Sequence, residues 1–131
     1  MMYALDANTV IHFFKGMGGV AKRLLETPPF EIALPSVVLY ELEVGRLKSR
    51  NPERRQRELD ELTTFVTLLP FGPSEAAAAA QVRADLERTG LKIGPYDVLI
   101  AGTVLSHRAT LVTNNTAEFG RVQGLMVEDW L

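Results

Sequence analysis

Four acidic residues stand where one predicted structural element gives way to the next: Asp6, Glu41, Asp97 and Glu118. They lie in the segments LDAN, SVVLYEL, GPYDVLIA and TNNTAEF. Acids that are distant in sequence and converge at one side of a fold can hold a hard divalent cation, because Mg²⁺ and Mn²⁺ prefer oxygen ligands. The first hypothesis is therefore an acidic metal site.

Each of these acids also has a purely structural interpretation. Asp6 is suited to cap the helix that follows it, and Asp97 to interact with the positive end of a helix dipole. Glu118 is uninformative when taken alone. Glu41 is the hardest to explain, since it lies in a mostly apolar segment where a carboxylate needs a partner. As a set, the four acids favour a functional site.

The composition excludes several classes of protein. The chain has 131 residues, of which 47% are hydrophobic, so we expect a single folded domain spanning residues 1–131 rather than a disordered chain. It has no cysteine, which excludes disulfides, zinc–thiolate sites and thiol nucleophiles. No run of about 18 apolar residues and no signal-peptide pattern is found, so the sequence predicts a cytoplasmic protein without a membrane span.

The positive charge is concentrated in one short segment although the formal net charge is −2. The six basic residues of this segment are Arg46, Lys48, Arg50, Arg54, Arg55 and Arg57. They suit contact with a nucleic acid. An equally good interpretation is a solvated helix face, with Arg54 paired to Glu58 and Arg57 to Glu61 at i,i+4 spacing.

Short apolar runs alternate with helical patterns along the whole chain. The apolar runs predict strands at residues 2–5, 32–34, 66–69, 110–113 and 125–127. The helical patterns predict helices at 8–15, 20–26, 36–48, 52–64, 73–90 and 95–105. Ser36 and Asn51 are the expected caps of two of these helices, and Leu59, Leu62 and Phe65 are expected to face the core.

Strands that are apolar throughout and alternate with helices favour a mostly parallel sheet covered on both faces. Ligands of such sheets bind beyond the carboxyl ends of the strands. Asp6 and Asn115 follow two of the predicted strands, and Asp97 falls in the first turn of its helix. Glu41 lies deeper in its helix, and it can reach the same side only if that helix crosses the sheet there.

The segments LDANTVI, S-x(4)-EL, GPYDVLIAG and VTNNTAEFGRVQGLMVEDW resemble, in this order, the motifs of PIN-domain ribonucleases, specifically the VapC-like toxins of bacterial toxin–antitoxin pairs. The resemblance covers essentially the whole chain. It implies a three-layer α/β/α fold with about five parallel strands. It also implies Mg²⁺ or Mn²⁺ as cofactor and hydrolysis of RNA phosphodiester bonds by a metal-activated water.

The resemblance also assigns roles to individual residues. Asp6, Glu41 and Asp97 match the three family acids, with Asp6 and Asp97 as metal ligands. Asn8 matches the polar residue two places after the first acid. Ser36 is expected to support the site by hydrogen bonding.

The fourth family position departs from the pattern. The carboxylate that usually follows the threonine of the last motif by two residues is replaced here by Asn115. Thr113 is expected to support the site, and either Asn115 or Glu118 is the fourth site residue. The family spacing slightly favours Asn115, and the number of metal ions, one or two, stays open.

The resemblance further implies partners. A homodimer is expected, together with a small DNA-binding antitoxin that docks on apolar helix surfaces, which we place in residues 37–47 and 59–65. Family members commonly cut structured RNAs, so the anticodon loop of initiator tRNA is the substrate that the resemblance favours. The sequence alone does not specify the RNA.

The alternatives are a phosphatase, a non-catalytic binding module and a metal-free acid–base ribonuclease, which would need a catalytic histidine. A haloacid dehalogenase-type phosphatase would need an acid two residues after Asp6, where Asn8 stands. A non-catalytic PIN-like module that binds RNA or protein is the stronger alternative, since Asn115 brings no charge. His12 and His107 have no acid at a triad-like spacing and are interpreted as structural.

Overall fold

The computed structural model describes residues 1–131 and contains five strands and seven α-helices. The strands are β1 (Tyr3–Leu5), β2 (Ile32–Pro35), β3 (Thr67–Leu69), β4 (Thr110–Val112) and β5 (Met126–Glu128). The helices are α1 (Ala7–Phe14), α2 (Val20–Glu26), α3 (Ser36–Leu47), α4 (Pro52–Phe65), α5 (Pro73–Arg88), α6 (Pro95–Ser106) and α7 (Thr116–Phe119). No helix has both the length and the apolar character needed to cross a bilayer.

All five strands pair in parallel, in the order β3-β2-β1-β4-β5. β1 is central, with Tyr3 opposite Ile32 on one side and Thr110 on the other. The predicted three-layer α/β/α arrangement with a five-stranded parallel sheet is confirmed. We call the side of the sheet at which all strands end the carboxyl edge.

The strands are short but almost completely buried at the centre of the sheet. Ala4, Leu5, Leu34, Leu111 and Val112 have no exposed surface. Strands buried on both faces need apolar side chains at every position, which is why no polar–apolar alternation appears in the sequence. One cluster of 23 buried hydrophobic residues forms the core.

Helices α5 and α6 pack unusually closely because small residues meet at their crossing. Gly102 lies directly against the backbone of Ala79, and a Cβ atom at Gly102 would collide with it. The alanine segment was expected to provide tight packing, and Ala79 does so. Its neighbours Ala76, Ala77 and Ala80 are exposed, so only part of the segment serves that purpose.

At the element boundaries, one predicted helix cap was wrong and one was confirmed. Ser36 is the first residue of α3 rather than its cap, and Pro35 occupies the cap position without a side-chain hydrogen bond. Asn51 does cap α4, since its Oδ1 accepts a hydrogen bond from the Arg54 N–H at 3.2 Å. A 3₁₀ turn at Pro29–Glu31 and the short helix α7 were not predicted.

The side-chain predictions for α4 were partly wrong. Leu59 and Leu62 are buried as expected, whereas 60% of the surface of Phe65 is exposed. Neither expected i,i+4 ion pair forms. Arg55 instead contacts Glu58 at 2.7 Å, three residues away, because its guanidinium lies closer to that carboxylate on the helix surface.

Candidate active site

Hydrogen bonds with Val112 and Thr9 hold Asp6 at the centre of the carboxyl edge. Its backbone N–H donates to the Val112 carbonyl at 3.1 Å, which continues the pairing of β1 with β4. Its Oδ1 atom accepts from the Thr9 N–H at 2.8 Å and so caps α1. The hydroxyl of Thr9 donates to the same Val112 carbonyl at 2.9 Å. Asp6 is therefore a helix cap and also a buried carboxylate in a fixed position.

Asp97 occupies the first turn of α6, behind the cap residue Gly94. The glycine allows the acid to come close, since a Cβ atom built on Gly94 would lie 3.1 Å from Asp97 Oδ2 and 3.7 Å from Glu118 Oε1. The pKa of Asp97 is raised to about 7, mainly by burial, and the charges of Glu118, Glu41 and Asp6 contribute to the same shift in that order. The other three predicted acids thus lie within electrostatic reach of Asp97 at the carboxyl edge.

Glu118 is fixed by hydrogen bonds to both of its oxygens. Oε1 accepts from the Gly94 N–H at 2.6 Å, and Oε2 accepts from the Asn115 side-chain amide at 2.6 Å. These bonds, first the one from Gly94, lower the pKa of Glu118. Because the pKa of Asp97 is raised and that of Glu118 is lowered, Asp97 is the one of these two acids that holds a proton more readily.

The turn after β4 presents Asn115 to Glu118. The backbone N–H of Asn115 donates to the hydroxyl of Thr113 at 3.0 Å, and Thr113 is completely buried. The Thr113 N–H in turn donates to the Glu128 carbonyl of β5 at 2.9 Å. The buried ring of Phe119 anchors α7 on the core. Thr113 therefore contributes a hydrogen bond to the turn that carries Asn115.

Glu41 reaches the same site from α3. It is half-buried, and burial raises its pKa, followed by the charge of Asp6. Glu41 therefore lies within electrostatic reach of Asp6, which the sequence could not establish. Tyr40 and Tyr96, the residues immediately before Glu41 and Asp97, bring their ring centroids to 5.6 Å from each other.

Two predicted supporting residues make no hydrogen bond to the acids. Asn8 and Ser36 are both exposed, and neither side chain has a hydrogen-bond partner in the structure. Their expected roles are thus supported by sequence position alone.

The two histidines differ. His107 caps the far end of α6, about 15 Å along the helix axis from Asp97 at 1.5 Å per residue. Its Nε2 contacts Glu75 Oε2 at 2.8 Å, and Glu75 Oε1 accepts from the Gly72 N–H at 2.8 Å. The Gly72 bond is the main reason that the pKa of Glu75 is lowered. This partner was missed because it lies 32 residues away in sequence. The contact with Glu75 agrees with the interpretation of His107 as a structural residue. The same interpretation of His12 stays a prediction.

The acids are close enough to influence one another but are not gathered into a finished ligand set. No group of three acidic or histidine side chains is positioned to hold one metal ion. The four carboxylates nevertheless suit a small divalent cation, because its charge would offset their mutual repulsion. This repulsion contributes to the raised pKa values of Glu41 and Asp97. Mg²⁺ keeps several of its waters, so it can bind to such a site partly through water.

The parallel sheet and the acidic carboxyl edge define a class of α/β proteins whose site suits oxygen-ligated cations and phosphate chemistry. The chain belongs to the PIN domain family, whose model matches residues 3–125, and within it to the VapC proteins. The resemblance noted in the sequence is confirmed.

Three relatives illustrate this similarity. The chain is 35% identical over 130 residues to the tRNA(fMet)-specific endonuclease VapC of Shigella flexneri, covering 99% of this chain and 98% of that protein. The structure of VapBC2 from Rickettsia felis, bound to a DNA fragment from its promoter, matches with a TM-score of 0.93, 34% identity and full coverage of both chains. DNA-bound VapBC from Salmonella typhimurium also has a TM-score of 0.93, with 33% identity and coverage of 100% and 99%.

Proposed function

We propose that this protein is a metal-dependent endoribonuclease and acts as the toxin of a toxin–antitoxin pair. The main observation in support is the group of four carboxylates from four different elements, in which Asp97 has a pKa of about 7. Repulsion between clustered acids destabilises the folded state, so a cluster of this kind indicates a functional site. Relatives named as ribonucleases support the assignment of RNA as the substrate.

Asp6 and Asp97 would hold Mg²⁺ or Mn²⁺, partly through water, with the carboxylate of Glu41 beside them. Asp6 is preoriented by Thr9, and the N-terminus of α6 places Asp97. A bound divalent cation lowers the pKa of water and offsets charge that develops on the phosphate. Asp97 must release its proton to act as a ligand, and at neutral pH this costs little because its pKa is close to the ambient pH.

The hydrogen bonds favour Glu118 over Asn115 as the fourth acid of the site. The Asn115 amide is already used to hold Glu118, whose carboxylate stays ionised. We therefore assign the charge to Glu118 and a positioning role to Asn115. This assignment replaces the preference for Asn115 that the family spacing gave.

An antitoxin is proposed to dock on an apolar groove formed by α1, α2 and α4. The groove has a volume of about 580 Å³. Its main apolar lining residues are Phe13, Phe14, Leu24, Leu25, Leu62 and Phe65. Exposed apolar surfaces of this size suit an amphipathic segment of a partner. Of the two segments expected to dock the antitoxin, 59–65 contributes to this groove and 37–47 does not.

The remaining parts of the proposal rest on the relatives. The VapC of Shigella flexneri is named as specific for tRNA(fMet), which supports the initiator tRNA as the substrate. VapBC complexes bound to DNA support a DNA-binding antitoxin. We also propose that the protein is a homodimer. We propose a cytoplasmic location as well, because the RNA substrate and the DNA-bound complex would both be present there.

The test is cleavage of total RNA by the purified protein freed of antitoxin. Cleavage is expected with Mg²⁺ or Mn²⁺ and should stop when EDTA is added. Asp6→Asn and Asp97→Asn should each reduce the rate at least 100-fold with an unchanged far-ultraviolet circular dichroism spectrum. Asp60→Asn, an exposed acid of α4, is the matched control and should retain full activity. Undiminished cleavage in EDTA would contradict a metal-dependent mechanism, and RNA binding without cleavage would favour the non-catalytic alternative.

A further inference from the structure

Two tyrosines form an exposed pair beside the acids. Tyr40 lies on α3 directly before Glu41, and Tyr96 lies on α6 directly before Asp97. Their ring centroids are 5.6 Å apart, and the ring planes are inclined by 56°. We call Tyr40 and Tyr96 the tyrosine pair. It links the two helices that carry two of the site acids.

The tyrosine pair is not part of the hydrophobic core. Tyr40 has 51% and Tyr96 has 46% of its surface exposed, so each ring offers a large face to solvent. Neither ring lines the α1–α2–α4 groove. Aromatic side chains of this size are usually buried, and those that stay exposed often provide a contact surface.

The pair also lies beside the site. One peptide bond separates Tyr40 from Glu41 and Tyr96 from Asp97, and the contact between the two rings lies between the helices that carry these acids. A molecule in contact with these rings would therefore have its next atoms close to Glu41. The two tyrosines border the acids on the side of α3 and the start of α6.

We propose that the tyrosine pair is a stacking platform for one unpaired base of the RNA strand, next to the phosphate that is cut. This inference rests on the proposed endoribonuclease function. The acids repel the phosphates of an approaching strand, whereas a neutral base can stack on a ring without regard to charge. RNA-binding proteins commonly recognise single-stranded loops by stacking splayed bases on aromatic rings.

The platform would position the strand rather than perform chemistry. A stacked base holds its own phosphate at a fixed distance, which places the neighbouring phosphate at the acids. Because every base has a π-face, the platform would tolerate any base and would select for an unpaired nucleotide. The expected preference is therefore for loops over duplex RNA.

Binding is tested on full-length protein that carries Asp6→Asn, so that the RNA stays intact. The probes are single-stranded RNA dodecamers with one 2-aminopurine, whose fluorescence is quenched by stacking. Tyr40→Ala and Tyr96→Ala should each weaken binding about tenfold, because one base loses its stacking partner. Each should also remove the quenching at one probe position. Tyr40→Phe and Tyr96→Phe should bind within about twofold of the parent, since the ring is retained.

Two further variants separate stacking from apolar bulk. Tyr40→Leu and Tyr96→Leu keep the bulk without the π-face and should behave like the alanine variants. Phe30→Ala is the matched control, because Phe30 is an exposed aromatic in the 3₁₀ turn before β2, away from the carboxyl edge. It should change neither affinity nor quenching. In cleavage by the otherwise unmodified enzyme, the alanine variants should raise KM about tenfold and change kcat much less.

Alanine variants that bind and quench as the parent does would overturn the platform. So would alanine variants that turn a dimer into a monomer in light scattering while their RNA affinity is kept, because the pair would then belong to a protein interface. If the unmodified protein cuts no RNA but the probes still report stacking on the tyrosine pair, the platform stands and the proposed catalytic function fails. If RNA is cut and the pair has no effect on binding, only the platform fails.

Discussion

Replacing Asp97 by asparagine should stabilise the metal-free protein, although an acid at a helix start normally contributes to stability. The pKa of Asp97 rises from 3.8 to about 7 in the fold. A difference of about three units corresponds to about 4 kcal/mol at about 1.36 kcal/mol per unit. The carboxylate is only half-buried, so solvent screening reduces this destabilisation to about 1–2 kcal/mol.

The pH dependence of this effect has a definite sign. Between the unfolded pKa near 3.8 and the folded pKa near 7, the folded state holds a proton that the unfolded state has lost. The free energy of unfolding therefore falls as the pH rises through this window. The destabilisation is absent below about pH 4 and complete above about pH 7. The asparagine variant should gain its largest advantage at pH 8 and lose most of it at pH 4.

The measurement is thermal unfolding in EDTA, followed by circular dichroism. Losing the favourable dipole interaction costs the variant about 0.3–1 kcal/mol, which leaves a net gain of about 1 kcal/mol. For a chain of this size the gain corresponds to a Tm increase of about 4 °C at pH 8. Millimolar Mn²⁺ should then raise the wild-type Tm more than that of the variant, because a ligand stabilises the state that binds it.

Glu53 provides a matched control for Asp97, since it is also an acid in the first turn of a helix, α4, and it is exposed. Glu53→Gln should lower the Tm slightly and should not change the response to Mn²⁺. An Asp97→Asn variant that melts lower than wild type in EDTA at pH 8, as the control does, would refute the reasoning. Asp97 would then serve only its helix, and the site would lack one of its proposed ligands.

The remaining predictions concern the fourth acid and the partner surface. Glu118→Gln should reduce the rate of RNA cleavage about 100-fold, whereas Asn115→Ala, which removes one hydrogen bond to Glu118, should reduce it about tenfold; equal, near-native rates would remove both residues from the site. Phe65→Glu should weaken binding of the antitoxin encoded beside this protein at least tenfold in a titration, because it places a charge in the apolar groove, while Phe30→Glu should not; equal affinities would place the antitoxin elsewhere.

The sequence was sufficient to predict the strands and their parallel pairing, because burial on both faces requires apolar side chains throughout a strand. It could not predict the order of the strands, which depends on pairings such as Ala4 with Leu111 across more than 100 residues. The position of Glu41 on α3 relative to Asp6 could not be predicted for the same reason, because it also depends on contacts between distant parts of the chain. Local patterns carry no information about contacts at this range.

The candidate site divides in a similar way. Asp6 and Asp97 were predictable since each stands at the junction of an element with the carboxyl edge. The bonds that fix Glu118 were not predictable, because Gly94 lies 24 residues away and nothing in its type reveals a bond through its backbone. Phe65 was wrongly assigned to the core because its spacing from Leu62 fits the buried face of α4, whereas the helix ends at this residue and leaves the ring exposed.

The central position of β1 has a consequence for synthesis on the ribosome. Its partner β4 begins at Thr110, and Glu118 follows eight residues later, so the acidic edge is incomplete until almost the whole chain has emerged. Helices α1, α2 and α4, whose residues line the apolar groove, have emerged well before that point. A nascent chain would thus expose the apolar groove to a partner before its set of site acids is complete. An antitoxin already present in the cell would have a period of several seconds, at about 5–20 residues per second, in which to meet a toxin that is still harmless.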